Sequence, residues 1–131
     1  MPGIVADPPG KPLDIRLGVA EHLPWDNGVF DAALSVNSVY YWSDIERAFR
    51  EAWRVLRPGG VFVLGLRRKD QIDRIALERY GYRSPSTGEL GEALTKAGFG
   101  SVTIQQTAAR LTGGEVIIAA GRQESLTLWN R

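Results

Sequence analysis

The side chains best suited to chemistry fall into a few groups. His22 is the chain's one histidine, and its ring titrates near neutral pH, as a general base must. The sequence fixes no carboxylate beside it, so a plain surface position is the other reading. Glu21 precedes it and is either a ligand contact or a solvated acid. Ser35, Asn37 and Ser38 follow an apolar run; they suit the lining of a cleft, or turn residues bonding their own backbone. Tyr40, Tyr41 and Trp42 make an aromatic cluster that suits a substrate wall, the core or a subunit contact. Arg67, Arg68 and Lys69 suit an anionic group, or form a solvated charged run.

Composition removes several other chemistries. With no cysteine among 131 residues, disulfides, thiolate metal sites and cysteine nucleophiles are excluded. One histidine cannot build a histidine-rich metal site. Sixteen basic and fifteen acidic residues leave a net charge of +1, unlike the strongly basic face of an obligate nucleic-acid binder. No stretch approaches the ~18 apolar residues of a membrane span, and Met1 to Pro12 lacks the basic start and apolar run of a signal peptide. The expectation is a cytoplasmic protein with no nucleic-acid or membrane partner.

The elements that position these groups follow from periodicity. Residues 1–12 carry four prolines and read as an extended lead-in; 13–122 read as one domain and 123–131 as a tail. Asp14 to Ala20 alternates polar and apolar residues and predicts a short strand. Pro24 to Gly28 is a turn. Phe30 to Val36 predicts a strand covered on both faces. Ser43 to Arg57 predicts a helix, with Ser43 as N-cap and Glu46 completing a capping box. Ile45, Ala48, Phe49, Ala52, Trp53 and Leu56 form its apolar face; Glu46 with Arg50 and Arg47 with Glu51 are pairs four apart. Pro58-Gly59-Gly60 stops the helix before a buried strand, Val61 to Leu66. A helix over Asp70 to Tyr80 follows. Ser86 and Glu89 form a capping box opening a helix through Ala97, with Gly98 as its C-terminal cap. Ser101 to Ala109 and Glu115 to Gly121 make a hairpin. The pattern predicts an α/β fold: a three-layer sandwich whose sheet is mostly parallel with an antiparallel C-terminal hairpin.

Three pieces of the chain carry a family resemblance. They are Ala20-Glu21-His22-Leu23-Pro24, Phe30-Asp31 with its apolar strand, and Arg54-Val55-Leu56-Arg57-Pro58-Gly59-Gly60. Ala97-Gly98-Phe99 leading into Val102 to Thr107 adds a fourth. In this order they resemble the class I S-adenosylmethionine-dependent methyltransferases, type 11-like and small-molecule-directed, over roughly Leu13 to Arg122. The resemblance implies a Rossmann-like sheet whose seven strands stand in the order third, second, first, fourth, fifth, seventh, sixth. It implies S-adenosylmethionine as cofactor, with Ala20 and Glu21 by the adenine and Ser35, Val36 and Asn37 at the methionine end. Tyr40, Tyr41 and Trp42 then lie towards a small-molecule substrate.

The family's site opens with a strand and a Gly-x-Gly-x-Gly turn that brings backbone amides to the cofactor, and an acid at the end of its second strand. No glycines of this chain form that turn after a strand; Gly59-Gly60 precedes one, and Asp14 precedes a strand rather than ending one. The chain therefore resembles the C-terminal portion of the fold. Without the first two strands, Phe30 to Val36 becomes an open apolar edge, which either Asp14 to Ala20 or a second copy could cover; a homodimer is expected. Two functions are consistent with this. One is methyl transfer completed by further or partner segments, which depends on alignment more than on acid–base groups. The other is a catalytically inactive, truncated homologue acting as a dimeric binding or structural module.

Overall fold

The computed structural model describes residues 13–67, 78–81, 85–107 and 115–124. Within these lie strand β1 (Phe30–Val36), a 3-10 turn (Val39–Tyr41), helix α1 (Ile45–Val55), strand β2 (Leu56–Arg67), helix α2 (Thr87–Ala97), and strands β3 (Ser101–Thr107) and β4 (Glu115–Gly121).

Helix α1 forms because Ile45, Ala48, Phe49, Ala52 and Val55 recur at helical spacing and are all buried. Its N-cap is Asp44, not the expected Ser43. The Asp44 carboxylate accepts from the Arg47 backbone N–H at 3.1 Å, while the Ser43 hydroxyl donates to Glu21 at 2.8 Å. Both types are good caps; a charged acceptor nearby draws the serine away, because charge-assisted bonds are the stronger kind. The helix ends at Val55, and Leu56 is already extended. Gly59 takes φ +86°, and a Cβ on Gly60 would stand 2.9 Å from Arg57 O and 3.0 Å from Asp31 O. The tight passage from helix to buried strand therefore requires glycine at this point.

Helix α2 begins at the Ser86–Glu89 capping box and ends at Gly98, with φ +116°, as expected. The expected helix over Asp70 to Tyr80 lies mostly outside the described residues, as does the Leu111 to Gly114 connection.

The four strands make one sheet in the order β1-β2-β4-β3. β1 and β2 are parallel, with Ala33 opposite Phe62 and Ser35 opposite Leu64. β4 lies between β2 and β3 and is antiparallel to both. This order matches the fourth, fifth, seventh and sixth strands that the resemblance implies. The expected predominance of parallel pairing is not found: one of the three pairings is parallel. Two neighbours connected by a helix run parallel, and the hairpin strands are antiparallel by connectivity.

Both helices pack on one face of the sheet. Phe49, Leu90 and Leu94 meet Phe62, Leu64 and Ile118 in a single core. The rings of Phe49, Phe62 and Phe99 follow one another at 5.8 Å and 5.9 Å. On the opposite face no described helix packs. Leu34 is 68% exposed and Val36 53%, so β1 is not covered on both faces and the described fold has two layers rather than three.

Asp14 to Ala20 is not a strand. It runs without regular structure to an isolated bridge between Val19 and His22, and Ile15, Leu17 and Val19 are exposed. Alternation makes a strand only when a partner takes its backbone groups. β1 is not that partner: its one described pairing is with β2.

Candidate functional site

β1 and β2 end together at Val36 and Arg67, and open α/β sheets bind ligands beyond such carboxyl ends. The chain turns sharply there. Asn37 adopts φ +52°, a left-handed conformation that asparagine tolerates, and its N–H donates to Gly65 O at 2.8 Å. The Ser38 hydroxyl donates to Val36 O at 3.0 Å, the self-capping turn expected as one reading of these residues. The Tyr40 hydroxyl accepts from the Arg67 N–H at 3.0 Å, and burial pushes its pKa up despite that bond.

The segment before β1 is held by side chains of α1. Arg54 donates to Leu23 O at 3.0 Å, to Trp25 O at 2.8 Å and to Asn27 Oδ1 at 2.8 Å. It also pairs with Glu51 at 2.7 Å, and Glu51 accepts from the Leu23 N–H at 2.9 Å. The Arg54 guanidinium holds the Glu51 carboxyl below its ordinary value, against the opposing effect of partial burial. Nearer the helix start, Glu21 accepts from the Ser43 hydroxyl and from the Asp44 N–H at 3.0 Å. Partial burial pushes Glu21 upwards, but these hydrogen bonds together outweigh it and the carboxyl titrates below its ordinary value. Arg47 Nε donates to Glu21 O at 3.1 Å. The expected Arg47–Glu51 pair is thus replaced by Arg47–Glu21 and Glu51–Arg54, because the 20–27 segment competes for both side chains.

Between this segment and β1 runs a groove of about 460 Å³. Val19, Ala20, Leu23 and Trp25 form one wall; Ala32, Leu34, Ser35 and Val36 form the other; Trp42, Ala48 and Ala52 lie beneath. Trp25 is steadied by an edge-on contact with Phe30 at 5.4 Å between ring centres and by Arg16 over its ring. Among the described residues no group of three histidine, cysteine or acidic side chains gathers to hold a metal ion.

Residues 5–64 match the model of a family described as a methyltransferase domain. Over 103 residues the chain is 36% identical to a malonyl-[acyl-carrier protein] O-methyltransferase of Geobacter sulfurreducens, covering 69% of this chain and 39% of that protein. Over 51 residues it is 47% identical to a chloroplastic 2-methyl-6-phytyl-1,4-hydroquinone methyltransferase of rice, covering 39% of this chain and 15% of that protein. The fold superposes on a solved S-adenosylmethionine-dependent methyltransferase of Thermotoga maritima, a possible histamine N-methyltransferase, with a TM-score of 0.68 and 26% identity. That match covers 81% of this chain and 62% of the other. Together these likenesses support a class I S-adenosylmethionine-dependent methyltransferase. The chain spans less than two thirds of the length of each of these relatives.

Of the residues that the methyltransferase resemblance singled out, the structure brings Ala20, Ser35, Val36 and Trp42 to one groove. Glu21 and Asn37 stand outside its lining. Tyr40 is in the core at 7% exposure and Tyr41 is exposed. His22 is exposed and apart from the groove. The sequence did not single out Arg16, Trp25 or the Arg54–Glu51 clamp. Arg54 was legible only as the first letter of its motif, since its partners lie 27 to 31 positions earlier.

The family's cofactor is S-adenosylmethionine. The groove has apolar walls for a flat ring, but its polar lining is Arg16, Ser35 and Ser38, with no acid for ribose hydroxyls. The Glu21 carboxylate is turned onto the start of α1. Among the described residues the groove's lining alone therefore does not fit the whole of that cofactor.

Proposed function

We propose that this chain supplies one side of an S-adenosylmethionine-dependent methyltransferase site acting on a small molecule, completed by segments beyond the described residues or by a partner chain. The observation that carries this reading is the groove: Ala20, Ser35, Val36 and Trp42, from three separate places in the sequence, line one cavity at the carboxyl end of β1. Ala20 and Glu21 would stand by the adenine, and Ser35, Val36 and Asn37 at the methionine end. Trp42, with Tyr41 beyond it, faces the substrate side; Tyr40 supports them from the core. Methyl transfer asks chiefly for alignment and exclusion of water, so a groove without a catalytic dyad suits it. Nothing among the relatives supports the alternative of an inactive module.

The test is isothermal titration of S-adenosylmethionine and its demethylated product into the chain, at concentrations that reveal millimolar affinity. Saturable binding is expected, and Ala20→Trp, which fills the groove from an existing wall, should abolish it. No heat with either ligand, or binding indifferent to Ala20→Trp, would remove the reading.

A further inference from the structure

The wall of the groove opposite β1 has an unusual support. Residues 20–28 belong to no strand of the sheet, and the bridge between Val19 and His22 is local. Backbone polar groups must nevertheless find partners. For Leu23, one ion pair supplies both: Glu51 accepts its N–H at 2.9 Å and Arg54 donates to its carbonyl at 3.0 Å. The same guanidinium takes the Trp25 carbonyl and the Asn27 side chain, both at 2.8 Å, and the Arg54 carbonyl accepts from the Gly28 N–H at 2.9 Å. Leu23 and Trp25 are groove-wall residues; Arg54 is not.

We infer that Arg54 is the positioning residue of this site: its guanidinium, oriented by Glu51, sets the distance between the 20–27 wall and β1 and so the width available to a ligand. The inference rests on reading the groove as a ligand site. The chemistry requires arginine. Five donors in a planar fork serve one carboxylate and three separate acceptors at once, whereas a lysine ammonium is a point charge on a flexible stem and cannot span them. Arg54 does not contribute to the buried face of α1, which is Ile45, Ala48, Phe49, Ala52 and Val55. Its replacement therefore loosens the wall while leaving the core.

The experiment is amide hydrogen exchange on the full chain and its Arg54→Lys variant, with Leu23 as reporter of the wall and Leu64 and Ile118 as reporters of the core. Expected is at least tenfold faster exchange at Leu23 with Leu64 and Ile118 unchanged. S-adenosylmethionine affinity, where the parent chain shows it, should fall at least tenfold in the same variant. Glu51→Gln, which keeps an acceptor for the Leu23 N–H and removes the charge that orients Arg54, should show the same local pattern to a smaller extent, and it serves as the reading if Arg54→Lys does not fold. Unchanged Leu23 exchange, or acceleration of all three amides in step, overturns the inference. A parent chain that binds no cofactor, with the local exchange pattern intact, instead counts against the proposed function and leaves Arg54 as the support of the wall.

Discussion

The Tyr40 hydroxyl accepts a hydrogen bond from the Arg67 N–H at 3.0 Å, joining the turn after β1 to the last residue of β2. The two parallel strands are thereby tied at the end where the groove opens. Tyr40→Phe keeps the buried ring and leaves that N–H without its partner. A loss of about 0.5–1.5 kcal/mol follows from removing one part-buried hydrogen bond. Urea unfolding should show it as a lower midpoint at unchanged slope; no change would mean that water replaces the hydroxyl.

Gly60 predicts a larger effect from a smaller change. A Cβ there meets two backbone carbonyls at 2.9 Å and 3.0 Å, and backbone cannot yield as a side chain can. Gly60→Ala should destabilise by about 1–3 kcal/mol, read in the same unfolding experiment. Gly91→Ala is the control, because a Cβ at Gly91 meets nothing within 4 Å and alanine is the better helix former; that variant should be as stable as the parent or more so.

Acid should loosen the groove wall. Glu21 and Glu51 both titrate below their ordinary value of 4.5 in the folded chain. A carboxyl whose folded pKa is depressed binds protons more readily when unfolded. Its contribution is complete above the ordinary value and is lost as pH falls through the folded pKa. The melting temperature is expected to hold from pH 7 down to about 5 and to fall below the ordinary glutamate range. Glu51→Gln should flatten that fall, and an equally steep fall in the variant would assign it to other carboxyls.

The outer edge of β1 has no described strand partner, and Leu34 and Val36 lie exposed beside it. Open apolar edges pair readily with another strand. A homodimer through this edge is expected in sedimentation at micromolar concentration, and Leu34→Lys should shift it towards monomer. A parent chain that sediments as a monomer throughout would exclude edge pairing.

Local signals made much of this fold legible from residue order. The apolar face of α1, the Ser86–Glu89 capping box and Gly98 as a C-terminal cap each depend on residues within a few positions of one another. Those local energies are already written in the sequence. The groove residues Ala20, Ser35, Val36 and Trp42 were also legible, but through family resemblance and not through spacing.

Tertiary structure decided the rest, because it rests on pairings between distant residues. Asp14 to Ala20 has the alternation of a strand and is none, since no described strand pairs with it. Ser43 is a good cap by type and yields to Asp44, because Glu21, twenty-two positions earlier, claims its hydroxyl. Glu21 itself turns to the helix start instead of the groove. Arg54 was one letter of a motif until folding placed Leu23, Trp25 and Asn27 around its guanidinium. A sequence states which groups want partners; only the packed chain determines which partner each one reaches.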